Sequence, residues 1–229
     1  MVSLITDGSA TDDQGRPYRR RRTLPVVALI SVLALLGVTV WVRILTHTET
    51  AATTVDCNAP VIPASQPADA PEPQPLGEVV GRGTLLDVQP APLSATHVRV
   101  FNANGERGQA ADVATQLRDY GFASAPDVQV GNDPVYVAQN LQCHGQIRFG
   151  ANGRAAASAL WLVAPCAELV EDGRPDDTVD LALGTYFAKS ISPSTDAEEV
   201  LSTLRDPMPG SSPAPLDPDL LKAARTARC

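Results

Sequence analysis

The chain has 229 residues, a formal net charge of −8 and only 4% aromatic side chains. That length suits one medium domain with extensions, and so few aromatics argue for a modest core with extended connectors. The acidic balance excludes a nucleic-acid partner for the bulk of the chain.

The charge is unevenly spread. Residues 1–22 hold Arg16, Arg19, Arg20, Arg21 and Arg22 against Asp7, Asp12 and Asp13, a local +2 that leaves −10 for the remainder. This polar, basic tail reads as disordered. Next comes "LPVVALISVLALLGVTVWV", Leu24 to Val42, which is uncharged and has only Ser31 and Thr39 as polar side chains. At about 1.5 Å per residue it spans roughly 28 Å, close to the hydrocarbon thickness of a bilayer. Trp41 suits the far interface, and Arg43 can snorkel there. A cleaved signal peptide is the rival reading. The apolar run exceeds an ordinary signal core, and "THTETAATTVDC" has poor small-residue spacing for cleavage. Val55-Asp56 before Cys57 is also wrong for lipoprotein processing. The expectation is one uncleaved anchor over 23–45, with the arginine cluster holding the N-terminus in the cytoplasm and all that follows outside.

Residues 46–95 read as a linker. Pro60, Pro63, Pro67, Pro71, Pro73 and Pro75 crowd one short stretch, the composition of a semi-rigid polyproline spacer. The folded part is expected from about Thr96 to Phe187. "HVRVFN" alternates and is a strand. The helix after it places Ala110, Val113, Ala114 and Leu117 on one face, with Gly121 as its stop. "FASAPDVQVGNDP" is a second strand with turns, and "VYVAQNLQ" a short helix. "QIRFG" is a strand, and "GRAAASALWLVA" a helix apolar nearly all round, hence covered on both sides and ended by Pro165. "EDGRPDDT" is a turn and "TVDLALG" a strand. Over 188–229, Thr195 with Glu198 forms a capping box, and Asp217-Pro218 starts a second helix. The alternation gives a small two-layer α/β ectodomain with C-terminal helices, preceded by one transmembrane helix.

Four cysteines, Cys57, Cys143, Cys166 and Cys229, fit disulfides in an oxidising compartment, and four allow three connectivities. A strand followed by a returning helix brings Cys143 and Cys166 to one end of the unit, which favours that pair. Cys57 then pairs with Cys229, so the proline-rich segment runs back along the domain surface.

"NANGERGQAAD", between the first strand and its helix, has the order of a phosphate cradle. It lacks the lysine and hydroxyl of a P-loop, and Gly105-x-x-Gly108 lacks the third glycine of a dinucleotide fingerprint. A near-copy carries Gly150 and Gly153. Anion capture at the two helix starts is physically open, but close helix-on-sheet packing is the better account. His47, His97 and His144 are scattered, and Cys143-His144 is adjacent rather than at a ligating spacing, so no metal and no cofactor is expected. No serine sits in a nucleophile elbow. Asp176-Asp177 and Glu198-Glu199 fall where solvation and capping explain them, so no catalytic residue is assigned. Arg99 and Arg148 hold equivalent places in two strands and line one side of the sheet; as edge-strand arginines they are ordinary surface residues. With Asn102, Gly105 and Gly108 they are the candidates for ligand contact.

"VRVFNANGERGQAADVATQLRDYGF", "IRFGANGRAAASALWLVAP" and "VDLALGTYF" resemble the LytR C-terminal domain family over about 96–187. That family shows a valine-rich strand ending in Asn, a Gly-x-x-Gly loop, an alanine-rich helix ending in Gly-Phe, and a second strand and helix. The Arg-rich start, the single anchor, "NDPVYVAQNLQCHGQIRFG", "SALWLVAPC" and the terminal cysteine extend the resemblance to envelope-integrity proteins of mycobacteria. It implies a single-pass plasma-membrane protein of actinobacteria that supports the cell envelope; with no catalytic residue assigned the expectation is a non-enzymatic role, the rivals being a specific glycan- or lipid-binding module and an enzyme acting on envelope polymer. Its partners would be cell-wall glycan, envelope lipid or envelope proteins. The phosphotransferase domain that often precedes this module has no room between Val42 and Thr96, and the family offers no catalytic residues to carry over.

Overall fold

The structure is a computed structural model and describes residues 14, 24–46, 55–61, 72–205 and 216–225. The chain divides into two compact units, Met1–Thr50 and Ala51–Cys229. The first contains helix α1, Leu24–Thr46, whose described side chains, residues 25–40, are all exposed. Over the described residues no helix is long and apolar enough to cross a membrane. The basic tail, Arg43's side chain and Cys229 lie outside what is described.

The second unit is built on a seven-stranded mixed sheet. Its strands are β1 (Glu78–Val80), β2 (His97–Asn102), β3 (Ala123–Ser124), β4 (Val130–Asn132), β5 (Gly145–Phe149), β6 (Glu168–Glu171) and β7 (Val179–Leu183). The order is β1-β6-β5-β7-β2-β3, with β4 also on β2. Helix α3 (Gln109–Tyr120) connects β2 to its parallel neighbours β3 and β4, and α4 (Arg154–Leu160) connects β5 to parallel β6. β7 lies between β5 and β2, parallel to β2 and antiparallel to β5. The period of two sorts the side chains by face. Val98, Val100, Ile147, Phe149, Leu169, Val179, Leu181 and Leu183 all enter the main core under the helices. Leu181 sits between its cross-strand partners Val100 and Ile147. Each such side chain, once fully buried, contributes about 1.5–3 kcal/mol.

Helix α3 buries Ala110, Val113 and Leu117, and Ala114 packs at the edge of the same core, so the face expected from spacing is the buried one. It stops where Gly121 adopts φ 103° and the N–H of Phe122 bonds the Leu117 carbonyl, a glycine-dependent left-handed cap. Helix α4 is shorter than its apolar run. Residues 156–164 are all buried, but after Leu160 the bonds tighten, with Leu162 N–H on Ala159 O and Val163 N–H on Leu160 O. Helix α5, Thr195–Arg205, is capped one residue earlier than expected: Ser194 Oγ accepts from Ala197 N–H at 3.2 Å. Helix α6, Pro218–Ala224, starts as expected, with the Asp217 carboxylate accepting from Asp219 N–H at 2.9 Å.

Several expectations change. The sheet reaches back to Glu78, and helix α2, Gly83–Leu86, with the fully buried Leu85 and Leu93 places residues assigned to the linker inside the fold. β6 was not expected. "VYVAQNLQ" forms no helix: Asp133 instead draws in the N–H groups of Val135 and Tyr136, each at 2.7 Å, and Gln139 has a positive φ of 53°. Helices α5 and α6 are no appendage, because Val200, Leu201, Leu204 and Leu221 belong to the main core. Arg225 anchors the end of α6. It donates to the carbonyls of Leu86 and Val88 and to Ser158 Oγ, and it lies 5.4 Å over the Trp161 ring, against which Arg82 stacks as well. Burial draws the Arg225 guanidinium down to about 10, with the charge of Asp87 opposing.

The disulfide is Cys57–Cys143, closing a separation of 86 residues. It replaces both expected pairs, Cys143–Cys166 and Cys57–Cys229. Cys143 turns into a small cluster with Val135, Tyr136 and Leu141, while Cys166 follows the helix layer, and this difference of layer defeats the argument from matching ends. Cys166 is disulfide-bonded too, and no cysteine among the described residues is free.

Candidate functional site

The second face of the sheet carries the charges. Arg99 on β2 and Arg148 on β5 flank the same residue of β7, since both are cross-strand neighbours of Asp180. They share a face, as the sequence predicts, but neither lies on an edge strand, so the ordinary surface explanation fails. Asp180 takes Arg99 through two bonds, 2.5 and 3.0 Å, and Arg174 through a third at 2.6 Å. Arg174 also grips Asp172 at 2.6 Å. Burial alone would raise the Asp172 carboxyl; the bonds from Arg174 outweigh it and hold the group below its usual range. The same two carboxylates hold Arg174 above its ordinary value against the effect of burial.

Arg148 turns the other way. Its guanidinium meets both oxygens of Asp133 at 2.9 and 3.1 Å, and Gln146 Oε1 at 2.9 and 3.1 Å. The side chains of this pair are 3% and 0% exposed, so the pair is a buried one whose hydrogen bonds must offset its desolvation. Tyr136 stacks on Arg148 at 5.6 Å and donates its hydroxyl to Asn58 O. Gln146 bonds Glu168 at 2.7 Å. Asn58 also accepts from Gln142 N–H, and Gln74 N–H bonds Pro134 O. The chain is thus fastened to this face on both sides of the proline-rich run, whose residues 62–71 lie outside the description. The run does not space the domain away from Cys57.

The glycine loop is bound to itself. Asn102 Oδ1 accepts from the N–H groups of Asn104 and Gly105, and its amide donates to Glu106 O at 2.9 Å. Asn104 reaches Gln109 and Gly184 O, both at 2.8 Å. Gly105 and Gly108 supply the left-handed φ of 81° and 83° that this turn requires. At the second copy, a Cβ on Gly150 would lie 2.2 Å from Arg174 O, so that glycine permits close backbone approach. These contacts are those of packing architecture. Of Arg99, Arg148, Asn102, Gly105 and Gly108, none lines the large cavity described next.

That cavity, of about 610 Å³, lies between the turn after α4, the segment after β7 and the end of α6. Among the described residues its lining includes Leu162, Val163, Phe187, Ile191 and Ala224, the disulfide-bonded Cys166, and His144, Tyr186 and three serines, with no Asp, Glu, Lys or Arg. His144 Nδ1 is buried and has no hydrogen-bond partner among the described residues. Tyr186, 54% exposed, stands at the rim with its ring 6.2 Å from that of His144. Sequence reasoning missed the cavity and the roles of Asp133, Gln146, Asp180 and Arg174. One signal was available for the charges: each of "VRV", "IRF" and "VDL" puts a single ion between apolar residues at the same register. Among the described residues no group of three or more His, Cys, Asp and Glu is placed to hold a metal ion.

Residues 95–187 match the family model described as LytR cell envelope-related transcriptional attenuator. The chain is 44% identical over its full length, and the relative's, to the cell envelope integrity protein Cei of Mycobacterium tuberculosis. A solved structure, the soluble domain of a conserved hypothetical secreted protein from Mycobacterium marinum, superposes with a TM-score of 0.60 at 49% identity, covering 68% of this chain and all of that one. End-to-end kinship and a shared core together place it: the chain belongs to the family of the cell envelope integrity protein Cei, built around a LytR C-terminal domain.

Proposed function

We propose that this chain is a non-enzymatic, single-pass membrane protein that supports cell-envelope integrity by binding or organising envelope components outside the plasma membrane. The observation that carries the reading is the end-to-end similarity to Cei, an envelope integrity protein. The anchor is argued from the uncharged run Leu24–Val42 behind an arginine cluster, and the outside placement from the Cys57–Cys143 bridge and the secreted relative. A binding role is supported by a cavity of about 610 Å³ lined mostly by apolar groups, away from the face where Arg99, Arg148 and Arg174 are engaged by carboxylates.

The test is complementation. A host deleted for the gene should regain its dye-exclusion barrier with the full chain and lose it again when the ectodomain is expressed without residues 24–46. The purified ectodomain should leave isolated envelope polymer chemically unchanged. Turnover of that polymer would overturn the non-enzymatic reading, and full rescue by an anchorless ectodomain would overturn the anchored one.

A further inference from the structure

We propose that the Cys57–Cys143 bridge sets the reach of the ectodomain: it moves the point where the membrane tether enters the fold to Cys143 and leaves the proline-rich run as a side loop outside the tether. This rests on the reading that Leu24–Val42 is a membrane anchor, and it adds how far from the membrane the domain can act.

Connectivity is the first argument. Along the chain the sheet begins at Glu78 of β1, so residues 47–77 separate it from Thr46, the last residue of α1. Fully extended, that path would measure roughly 100–115 Å. The bridge cuts it short. Cys57 is bonded to Cys143, so only residues 47–56 remain between α1 and the fold, a path of at most about 40 Å. The second argument is that the residues at the bridge are fastened at the same place. Cys57 N–H donates to Glu168 Oε1 at 3.4 Å, Gln142 N–H to Asn58 Oδ1 at 2.6 Å, and the Tyr136 hydroxyl to Asn58 O. The tether therefore ends at residue 57, and chain added beyond it does not lengthen it. The third argument is where the tether pulls. β1 has three residues and pairs with β6 at the edge of the sheet, a place from which a strand peels with little else disturbed. Cys143 lies just before β5, which is held between β6 and β7. Tension from the anchor thus enters beside an interior strand, and β1 is relieved of it.

The experiment uses the full chain in phosphatidylcholine vesicles that carry an acceptor dye on a lipid headgroup. A donor dye sits at Ser202, exposed on α5, on an unnatural side chain that leaves the cysteines untouched. One variant has thirty Gly-Ser residues inserted after Thr50, and another has the same insert after Ala68. The first insertion should raise the root-mean-square tether length from about 18 Å to about 35 Å and lower energy transfer at least about twofold. The second should leave transfer unchanged while the bridge is closed. With Cys57→Ser and Cys143→Ser together, both insertions should lower transfer. Melting curves show whether that bridge-free variant folds, and where it does not, the two insertions in the oxidised protein decide alone. An equal fall from both insertions in the oxidised protein overturns the proposal. So does transfer indifferent to both, which puts the domain on the membrane through contacts of its own. An insertion after Ala68 that stays silent without the bridge also overturns it, since the bonds of Asn58 and Gln74 would then fix the tether unaided. A chain that does not stay with the vesicles overturns the anchor reading and this proposal together, whereas the other outcomes overturn this proposal alone.

Discussion

The buried pair Arg148–Asp133 makes a directional prediction, because its two members are unequally supported. Asp133 would keep two bonds without Arg148, from the N–H groups of Val135 and Tyr136 at 2.7 Å. Without Asp133, Arg148 would keep Gln146 Oε1 and the Tyr136 ring as its direct contacts, with Asp172 acting only at longer range, and those two N–H groups would lose their acceptor. Removing one member of a buried pair typically costs about 3–5 kcal/mol, so Asp133→Ala should fall in that range. Arg148→Met fills the guanidinium's volume with apolar atoms and leaves Asp133 partly bonded; it should cost about 1–3 kcal/mol. Urea unfolding of the oxidised ectodomain measures both. At about 2–4 °C per kcal/mol for a domain of this size, Asp133→Ala should lower Tm by roughly 6–20 °C. If Arg148→Met costs as much as Asp133→Ala, or if Asp133→Ala costs less than about 1 kcal/mol, the account of this face as a self-satisfied structural network is wrong. Its arginines would then be open again as ligand contacts.

Cys57→Ser opens a loop of 86 residues' separation and should cost roughly 4–5 kcal/mol in the chain-entropy model, read as a lower urea midpoint under non-reducing conditions. Gly184→Ala places a Cβ 2.1 Å from the backbone oxygen of Cys143, which cannot yield like a side chain; a loss of about 1–3 kcal/mol or more is expected, and an unchanged midpoint would contradict the close approach. Asp172 is held below its usual value of 3.8, so its contribution is fully present above that pH and is lost as pH falls through the lower folded value. The stability difference between wild type and Asp172→Asn should therefore stay constant from neutral pH to about 4 and shrink only below it, measured by urea midpoints across an acid series.

What could be read from the sequence followed from local rules. The strand His97–Asn102, the buried face of α3, the Gly121 stop and the Asp217 cap each depend on residues within a few positions, and the structure reproduces them. The misses are non-local. "EVV" and "ELVE" are too short for periodicity to register, and they become strands because each lies along the other. "VYVAQNLQ" has helical spacing, but Asp133 and the bridge at Cys143 hold it as a loop over the sheet. The disulfide shows the same limit, since which face a cysteine turns to cannot be inferred from which end of a unit it occupies.

The most conspicuous motif of the sequence, the glycine loop, is held by its own asparagines. A glycine loop before a helix can serve a phosphate only if its N–H groups are free to turn toward one. Here Asn102 takes the N–H groups of Asn104 and Gly105, and Asn104 Oδ1 takes that of Glu106 at 2.9 Å. The asparagine that ends β2 thus ties the first half of the loop into a corner, while the start of α3 at Gly108 has no side-chain cap. The corner fixes where α3 starts, and Asn104, through its bond to Gly184 O, ties the loop to the residue that follows β7. From Gly184 the chain continues into Tyr186 and Phe187 at the cavity. The loop is therefore tied to the segment after β7, and Asn104→Ala should speed amide hydrogen exchange at Tyr186 and Phe187 before it does so in β2 and β7.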